Sequence, residues 1–464
     1  MNAYSGMKKM KCVVLAGGGG IRLWPLSRQN YPKQFLALKA NRTIFEETIL
    51  RNRTFTDKFM IITNDEYKFI VEKQMEIVNI RNYEMILETI GRNTAPAITL
   101  ACMKSKNDDL LFVVPADAKI VDGREYQSAV AHAQELAKSG YIVTFGIKPN
   151  KPHTGYGYIK YVGNDVIEFK EKPSTEVAEK YIADGNYLWN SGMFLFRIDV
   201  FLSEIRKYRP DIYNSCKELT EIVRSKDAVV INREMMEKIP SESIDYAVME
   251  NSDRIKVIPS YFEWNDIGSI ESFYDEMDKN INQNVIYSNC VHTGIINNVE
   301  NQLVVANSLQ DVIIVNTIDA VYVSKIGKSS EIKNIAEKHY NRYGKFFKEN
   351  NISFRPWGFC EVLTDNEIYK VKRIIIHPNK RLSLHKHELK SEHCIIVAGN
   401  PVIKLGDSIS KYTANQSVYV PKGTFHQIIN ETDDDIEIIE ISIGKSISEA
   451  DIIQAEEIGS VNLV

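Results

Sequence analysis

Near the start of the chain the apolar run Val13-Val14-Leu15 breaks into Ala16-Gly17-Gly18-Gly19-Gly20, and the first cation after it is Arg22. A short apolar run bounded by glycines reads as a buried strand. Four consecutive glycines let the backbone take positive φ and bring bare N–H groups close to a bound group. Arg22 and, a few residues on, Lys33 carry the guanidinium and ammonium charges that a polyphosphate needs. No Gly-Lys-Ser/Thr follows, which excludes a P-loop, and Arg22 stands where a dinucleotide fingerprint needs its third glycine.

Later stretches repeat the pattern of strand and helix. Phe59-Met60-Ile61-Ile62-Thr63 precedes a helical segment with Phe69, Ile70 and Met75 apolar. Leu110-Leu111-Phe112-Val113-Val114 precedes another, where Tyr126, Ala129, Val130, Ala133 and Leu136 recur at helix spacing, and Tyr141 to Phe145 reads as a further strand. Such alternation predicts an α/β unit with a mostly parallel sheet covered by helices and ligands at the carboxyl ends of its strands. Asp117, just past one such strand, would there either hold Mg²⁺ with phosphates and water or cap the next helix.

Composition excludes some partners. With 464 residues, 44% hydrophobic and 25% charged, the chain has the usage of an ordinary globular protein of two to four domains. A net charge of −4 gives no electrostatic case for nucleic acid or a membrane surface. Six cysteines without a Cys-x-x-Cys pair speak against a disulfide framework and a thiolate zinc site. No stretch approaches the roughly 20 apolar residues of a membrane span, and Met1 to Cys12 holds no apolar run of leader length, so the expected compartment is the cytoplasm.

Ala16-Gly17-Gly18-Gly19-Gly20-Ile21-Arg22-Leu23-Trp24-Pro25, continued by Pro32-Lys33-Gln34-Phe35-Leu36, resembles the signature of sugar-1-phosphate nucleotidyltransferases, and within them the mannose-1-phosphate guanylyltransferase branch. Further stretches match in order. Glu88 with Arg92-Asn93-Thr94-Ala95-Pro96-Ala97 resembles the nucleotide-binding motif, and Thr154-Gly155-Tyr156-Gly157-Tyr158 the loop over the sugar. Glu171-Lys172-Pro173 and Trp189-Asn190-Ser191-Gly192 resemble the sugar-phosphate site, and Trp264-Asn265-Asp266-Ile267-Gly268 the motif of the second metal carboxylate. The resemblance implies a Rossmann-like nucleotidyltransferase domain over residues 9–282. In it Ala16, Gly17, Gly18, Gly20, Glu88, Arg92, Asn93 and Thr94 bind nucleotide; Gly157, Glu171, Lys172 and Asn190 bind the sugar phosphate; and Asp117 and Asp266 hold Mg²⁺. Arg22, Lys33, Asp117, Lys172 and Asp266 would carry catalysis. The implied substrates are GTP and mannose 1-phosphate. Departures are Thr89 for proline, Ile21 for threonine, Ala118 for histidine and His153 for glutamate.

Between Asn284 and Ser324 short β-branched runs recur at spacings near ten, which predicts a small β-solenoid or meander. The family has a β-helix-like domain here, set at residues 283–347 and often a dimer contact, so a homodimer or higher homo-oligomer is expected.

Five of the nine histidines then fall between His377 and His426. His385 and His387, two apart, share a face if they lie on a strand, and Glu392 and His426 can complete a metal shell from neighbouring strands. Three imidazoles and a carboxylate suit Zn, Fe, Mn, Ni or Co. The spacings His-x-His-x4-Glu-x6-Gly and Pro-x-Gly-x2-His-x3-Asn resemble the two cupin motifs, so residues 348–464 are expected to form a β-barrel cupin of the type II phosphomannose isomerase kind. Here His385 replaces glutamine, Lys390 arginine and Cys394 tryptophan, and no Tyr-Gly-Arg follows Glu457. His377 and His393 are expected to be structural. Two alternatives stand beside guanylyl transfer with isomerisation: a different sugar or base with a non-isomerase cupin, and a non-catalytic sensor of sugar nucleotides.

Overall fold

The first apolar run forms the strand Met10–Leu15, whose Val13 and Val14 are fully buried. It pairs in parallel with Phe59–Asn64 on one side and Leu110–Pro115 on the other. The computed structural model describes residues 10–39, 42–106, 109–224, 228–279 and 284–455. The expected boundary at 282/283 and the stretch after Glu457 lie outside them. The chain falls into two units, Met1–Glu349 and Asn350–Val464.

Among the described residues of the first unit, ten strands form one sheet. Their order is Ala228–Ile231, Tyr83–Glu88, Phe59–Asn64, Met10–Leu15, Leu110–Pro115, Tyr187–Arg197, Ile142–Ile147, Ile255–Ser260, Asp165–Lys170 and Tyr158–Val162. The strands up to Leu110–Pro115 are parallel, as the alternation predicts. Beyond them Ile142–Ile147 and Ile255–Ser260 are again parallel, and the departure from an all-parallel sheet lies in single strands. Tyr187–Arg197 runs antiparallel between Leu110–Pro115 and Ile142–Ile147, which makes the sheet mixed. An apolar period of two fixes which face a residue takes but not strand direction.

Local chemistry sets the helix starts. Thr43 and Glu46 close a reciprocal capping box on the helix Ile44–Asn52. The helix Thr94–Lys104 is buried from Ala95 to Met103, because the helices Ile198–Tyr208, Pro210–Lys217 and Thr220–Arg224 pack over it. The helix Arg124–Lys138 buries Tyr126, Ala129, Val130, Ala133 and Ala137, while Leu136 is only half-buried.

After residue 284, Val285–Ser288 lies parallel on Val304–Asn307, and Gly294–Asn297 parallel on Val312–Asn316. The two ladders share one sequence offset, Val285 facing Val304 and Gly294 facing Ile313; Val321–Lys325 then closes antiparallel. Ile296, Ile313, Val315 and Tyr322 share a core with Leu23, Leu26, Leu36 and Ile267. This stretch thus supports the loop that follows the glycines.

The second unit is two antiparallel sheets. One holds Ile352–Arg355, Gly358–Asp365, Tyr369–Ile376, Ile436–Gly444, Lys390–Ala398 and Ser417–Val420; the other Ser408–Lys411, Val402–Leu405, His426–Ile429, His385–His387 and Ile452–Gln454. Strict alternation along Ile436–Gly444 and Lys390–Ala398 turns Ile436, Ile438, Cys394 and Ile396 into a common core with Ile403 and Ile428.

Candidate active sites

In the first unit the carbonyls of the glycine loop are turned inward and held by buried side chains. Ala16 O accepts from Thr63 Oγ1 at 2.9 Å and from Gln34 Nε2 at 2.8 Å, Gly18 O from Gln34 Nε2 at 3.2 Å, and Gly20 O from Ser27 Oγ at 2.8 Å. The N–H groups of Gly17 to Gly20 donate no hydrogen bond among the described residues. Successive free backbone donors in a loop held this way form a concavity suited to an anion. Arg22 is exposed beside it.

Glu88 ends its strand against this loop, where a Cβ on Gly17 would stand 3.5 Å from its Oε2. The side chain is buried, Oε1 has no hydrogen-bond partner, and burial pushes the carboxyl up to about 8. The neighbouring Thr89 Oγ1 is likewise buried and without a partner. Buried acceptors are normally satisfied, so this pair is an acceptor surface awaiting donors. Arg92 and Thr94 are engaged elsewhere. Arg92 donates to Ile239 O at 2.6 Å and Glu237 O at 3.1 Å, and Thr94 Oγ1 accepts from Ile244 N at 2.9 Å. Asn93, at φ 69, caps the helix Thr94–Lys104.

Asp117 and Asp266 are brought together by a two-stranded ladder, Lys119–Ile120 against Trp264–Asn265. Lys33 joins them: its Nζ lies 3.1 Å from Asp117 Oδ2 and donates to Asp266 O. Gly268 leaves room for the Asp266 carboxylate, since a Cβ there would stand 2.8 Å from Asp266 Oδ2. Lys33 thus ties the Asp117 carboxylate to the backbone of Asp266, and the Asp117 side chain, 44% exposed, suits a hard divalent cation completed by water and phosphate.

The sugar-loop residues meet in the same unit. Asn190 N donates to Gly157 O at 2.8 Å, and a Cβ on Gly157 would overlap Glu171 Oε2, so any side chain there would displace that carboxylate. A bulge between Asn190 and Phe194 re-aims Asn190. Its Nδ2 donates to Asp245 Oδ1 at 2.9 Å. Burial, and then the charge of Glu171, push Asp245 up to about 6. The exposed Lys172 pairs with Glu171 at 2.7 Å. Tyr156 donates to Asp266 Oδ1 at 2.5 Å, stacks on His153 at 3.8 Å between centroids, and stands edge-on to Trp189 and Trp264. Burial and the Asp266 charge push the Tyr156 hydroxyl up, and burial pushes His153 down against the pull of Asp266. The sequence motifs pass over Asp245 and give Tyr156 no role of its own. Asp245 lies 55 residues from its partner, and no local spacing announces it.

In the second unit His385 and His426 face each other across a strand pair, and ligand atoms of His385, His387 and His426 lie within 4.8 Å of one another. Glu392 Oε1 is 3.1 Å from His387 Nε2, and its Oε2 is 3.2 Å from His426 Nε2. His385 Nδ1 hydrogen-bonds Ser383 O at 2.8 Å and His426 Nδ1 Thr424 O at 3.2 Å, which leaves each Nε2 as the free lone pair. Both His387 nitrogens are buried without an aligned hydrogen bond, as imidazole aimed at a cation would be. Burial and the neighbouring His426 push His385 down to about 4, its ligand-ready neutral form. Burial opposes ionisation of Glu392, but His387, His426 and Lys390 outweigh it and hold the carboxylate charged. Lys390, itself buried, donates to Glu392 Oε1 at 2.6 Å. Asp451, which no sequence motif marks, accepts the N–H groups of Glu388 and Leu389 and sets its Oδ2 3.8 Å from His387 Nδ1. His377 pairs with Asp435 at 2.8 Å, and His393 packs on Tyr419 on the face opposite Glu392.

Two family models match the chain: Nucleotidyl transferase over residues 11–283 and Mannose-6-phosphate isomerase C-terminal over 344–457. A protein of Escherichia coli O157:H7 named mannose-1-phosphate guanylyltransferase 2 is 38% identical, over 96% of this chain and 97% of its own. The alginate biosynthesis protein AlgA of Pseudomonas aeruginosa is also 38% identical, over 96% of each. Among solved structures, mannose-1-phosphate geranyltransferase from Thermus thermophilus superposes with a TM-score of 0.61 at 28% identity, covering 71% of this chain and 99% of that one.

Proposed function

The chain belongs to the nucleotidyl transferase family, among the mannose-1-phosphate guanylyltransferases with a C-terminal mannose-6-phosphate isomerase domain, and from that premise we propose the reaction of each unit. The first transfers a guanylyl group from GTP to mannose 1-phosphate, giving GDP-mannose and pyrophosphate. The second interconverts mannose 6-phosphate and fructose 6-phosphate. The product would feed polysaccharide assembly. A cytoplasmic setting, a homodimer or larger homo-oligomer and the three-part division at 282/283 and 347/348 belong to the same proposal. Among the described residues no helix is long and apolar enough to cross a membrane.

The observation that carries the transferase reading is one loop with open glycine N–H groups beside the unsatisfied Glu88, together with Lys33 held between the Asp117 carboxylate and the Asp266 carbonyl. The sugar phosphate has its second pKa near ~6, so the attacking oxygen is already charged at neutral pH and no general base is needed. The task left to the protein is to hold two anions together and offset charge at the α-phosphate. The glycine N–H groups, Arg22 and Lys33 suit the triphosphate. Glu171 and Asn190 suit sugar hydroxyls, and Lys172 the sugar phosphate. Glu88, whose Oε2 stands beside Gly17, offers in its ionised form two acceptor oxygens that match the adjacent N1–H and N2–H donors on one edge of guanine, an arrangement adenine lacks. Asp117 and Asp266 would hold Mg²⁺, which supplies positive charge at the reacting phosphate.

In the second unit His385, His387, Glu392 and His426 would hold a divalent transition metal (Zn, Fe, Mn, Ni or Co), which supplies polarisation of sugar oxygens. The short Lys390–Glu392 contact keeps one carboxylate oxygen tied inside the cluster.

The test is pyrophosphate release by the purified protein with Mg²⁺, with the common nucleoside triphosphates crossed against a panel of sugar 1-phosphates. GTP with mannose 1-phosphate should dominate; a different dominant pair would move the specificity, and silence across the panel would defeat the transferase reading.

A further inference from the structure

The parallel strands Met10–Leu15, Phe59–Asn64, Tyr83–Glu88 and Leu110–Pro115 offer their carboxyl ends to the glycine loop, Glu88 and Asp117. At their amino ends, about 17 Å away by the rise of a strand, lies a cavity of about 520 Å³ lined by Lys11, Lys58, Lys104 and Lys106. Glu84 takes up part of this charge, 2.6 Å from Lys11 and 3.4 Å from Lys104, and Asp109 is the other carboxylate in the lining. Among the described residues, four lysines therefore line the cavity against two carboxylates. Lys58 and Lys106 are exposed and make no ion pair among the described residues.

The second observation comes from Ser105. It is 6% exposed and lines the cavity, and its Oγ is buried with no hydrogen-bond partner among the described residues. A buried hydroxyl without a partner is costly and uncommon, and beside an excess of positive charge its natural complement is an anionic oxygen.

We infer that this cavity is a second anion site, for a small phosphate ester, distinct from the transferase centre. A phosphate carries close to two negative charges at neutral pH, which balances the excess of two ammonium groups, and its several acceptor oxygens can serve lysines and a hydroxyl at once. The volume lies within the range of small-molecule pockets and leaves room for the organic part of an ester. None of these residues belongs to the transferase site, so the cavity can be altered without touching catalysis.

Binding of labelled inorganic pyrophosphate to the full chain tests this, with wild type, Lys33→Gln, Lys58→Gln/Lys106→Gln and Ser105→Ala compared at fixed ionic strength. Lys33→Gln should weaken only the transferase-site class. Lys58→Gln/Lys106→Gln should weaken the other class at least tenfold while guanylyl transfer stays within twofold of wild type. Ser105→Ala, which changes no charge, should weaken that same class three- to tenfold. Unchanged binding in the double variant would overturn the inference. So would weakening in the double variant with Ser105→Ala at wild-type affinity, since that pattern means diffuse attraction to lysines. The same titration with a hexose 6-phosphate and with a nucleoside diphosphate ranks the two sources of the phosphate.

Discussion

Glu88→Gln is the perturbation that separates base recognition from phosphate chemistry. A carboxylate can accept from both N1–H and N2–H of guanine, whereas the amide of glutamine has one acceptor oxygen and turns its NH₂ toward a donor. A hydrogen bond to a charged group is worth about 1.5–3 kcal/mol, and the mismatched second contact leaves a guanine donor unpaired. Together these reduce kcat/KM for GTP by about 10²- to 10³-fold. The pH profile gives an independent signature. Burial raises Glu88 to about 8 in the free protein, so the acceptor form is the minor one at pH 7. Wild-type kcat/KM for GTP should climb roughly tenfold per pH unit toward about 8 and then level, as the carboxylate fraction does. The Glu88→Gln variant should be flat above the sugar-phosphate ionisation. Stability runs the other way. A carboxyl whose folded pKa lies above its unfolded one favours folding fully only below the unfolded value, and that contribution is lost as pH rises to about 8. The variant should thus lose less thermal stability than wild type between pH 5 and 9. The assay is steady-state pyrophosphate release with GTP varied, from pH 6 to 9. Near-wild-type activity in the variant, or a wild-type profile flat across that range, would refute the assignment of Glu88.

Gly157→Ala should raise KM for the sugar 1-phosphate at least tenfold with KM for GTP little changed, because the new methyl would overlap Glu171 Oε2; equal losses for both substrates in steady-state kinetics would contradict this. Tyr156→Phe removes a hydroxyl that occupies Asp266 Oδ1, so half-maximal activity should need severalfold less Mg²⁺, read from a Mg²⁺ titration. His387→Ala should strip a transition metal from the purified protein and leave guanylyl transfer within about twofold; unchanged metal content by mass spectrometry would sink the cluster. Asp451→Asn should weaken metal retention against a chelator by about 10–100-fold without removing a ligand, the usual scale for a group behind a ligating imidazole.

How far the sequence reached depended on whether a feature was local. The strand into the glycines, the helix faces and the residues His385, His387, Asp117 and Asp266 are carried by short motifs; the structure clusters His385 with His387 and sets Lys33 against both Asp117 and the backbone of Asp266. The role of Lys33 between the aspartates was hidden, because Asp266 lies 233 residues on and only the ladder Lys119–Ile120 with Trp264–Asn265 closes that distance. Asp245 and Asp451 were missed for the same reason: each is a lone carboxylate whose partner sits on a distant element. Arg92 and Thr94, which carry a nucleotide motif in sequence, hold the segment from Glu237 to Ile244 that leads into Asp245. The antiparallel entry of Tyr187–Arg197 was unreadable because alternation is the same in either direction.

The most direct test of the central claim is the amount of GDP-mannose formed from GTP, mannose 1-phosphate and Mg²⁺, followed by mass spectrometry for wild type and Asp266→Ala. Wild type should convert the pair, and Asp266→Ala should fall by at least 10³-fold while keeping its thermal unfolding transition. GDP-mannose formation near the wild-type rate by the folded variant would contradict the site built on Asp117, Asp266 and Lys33.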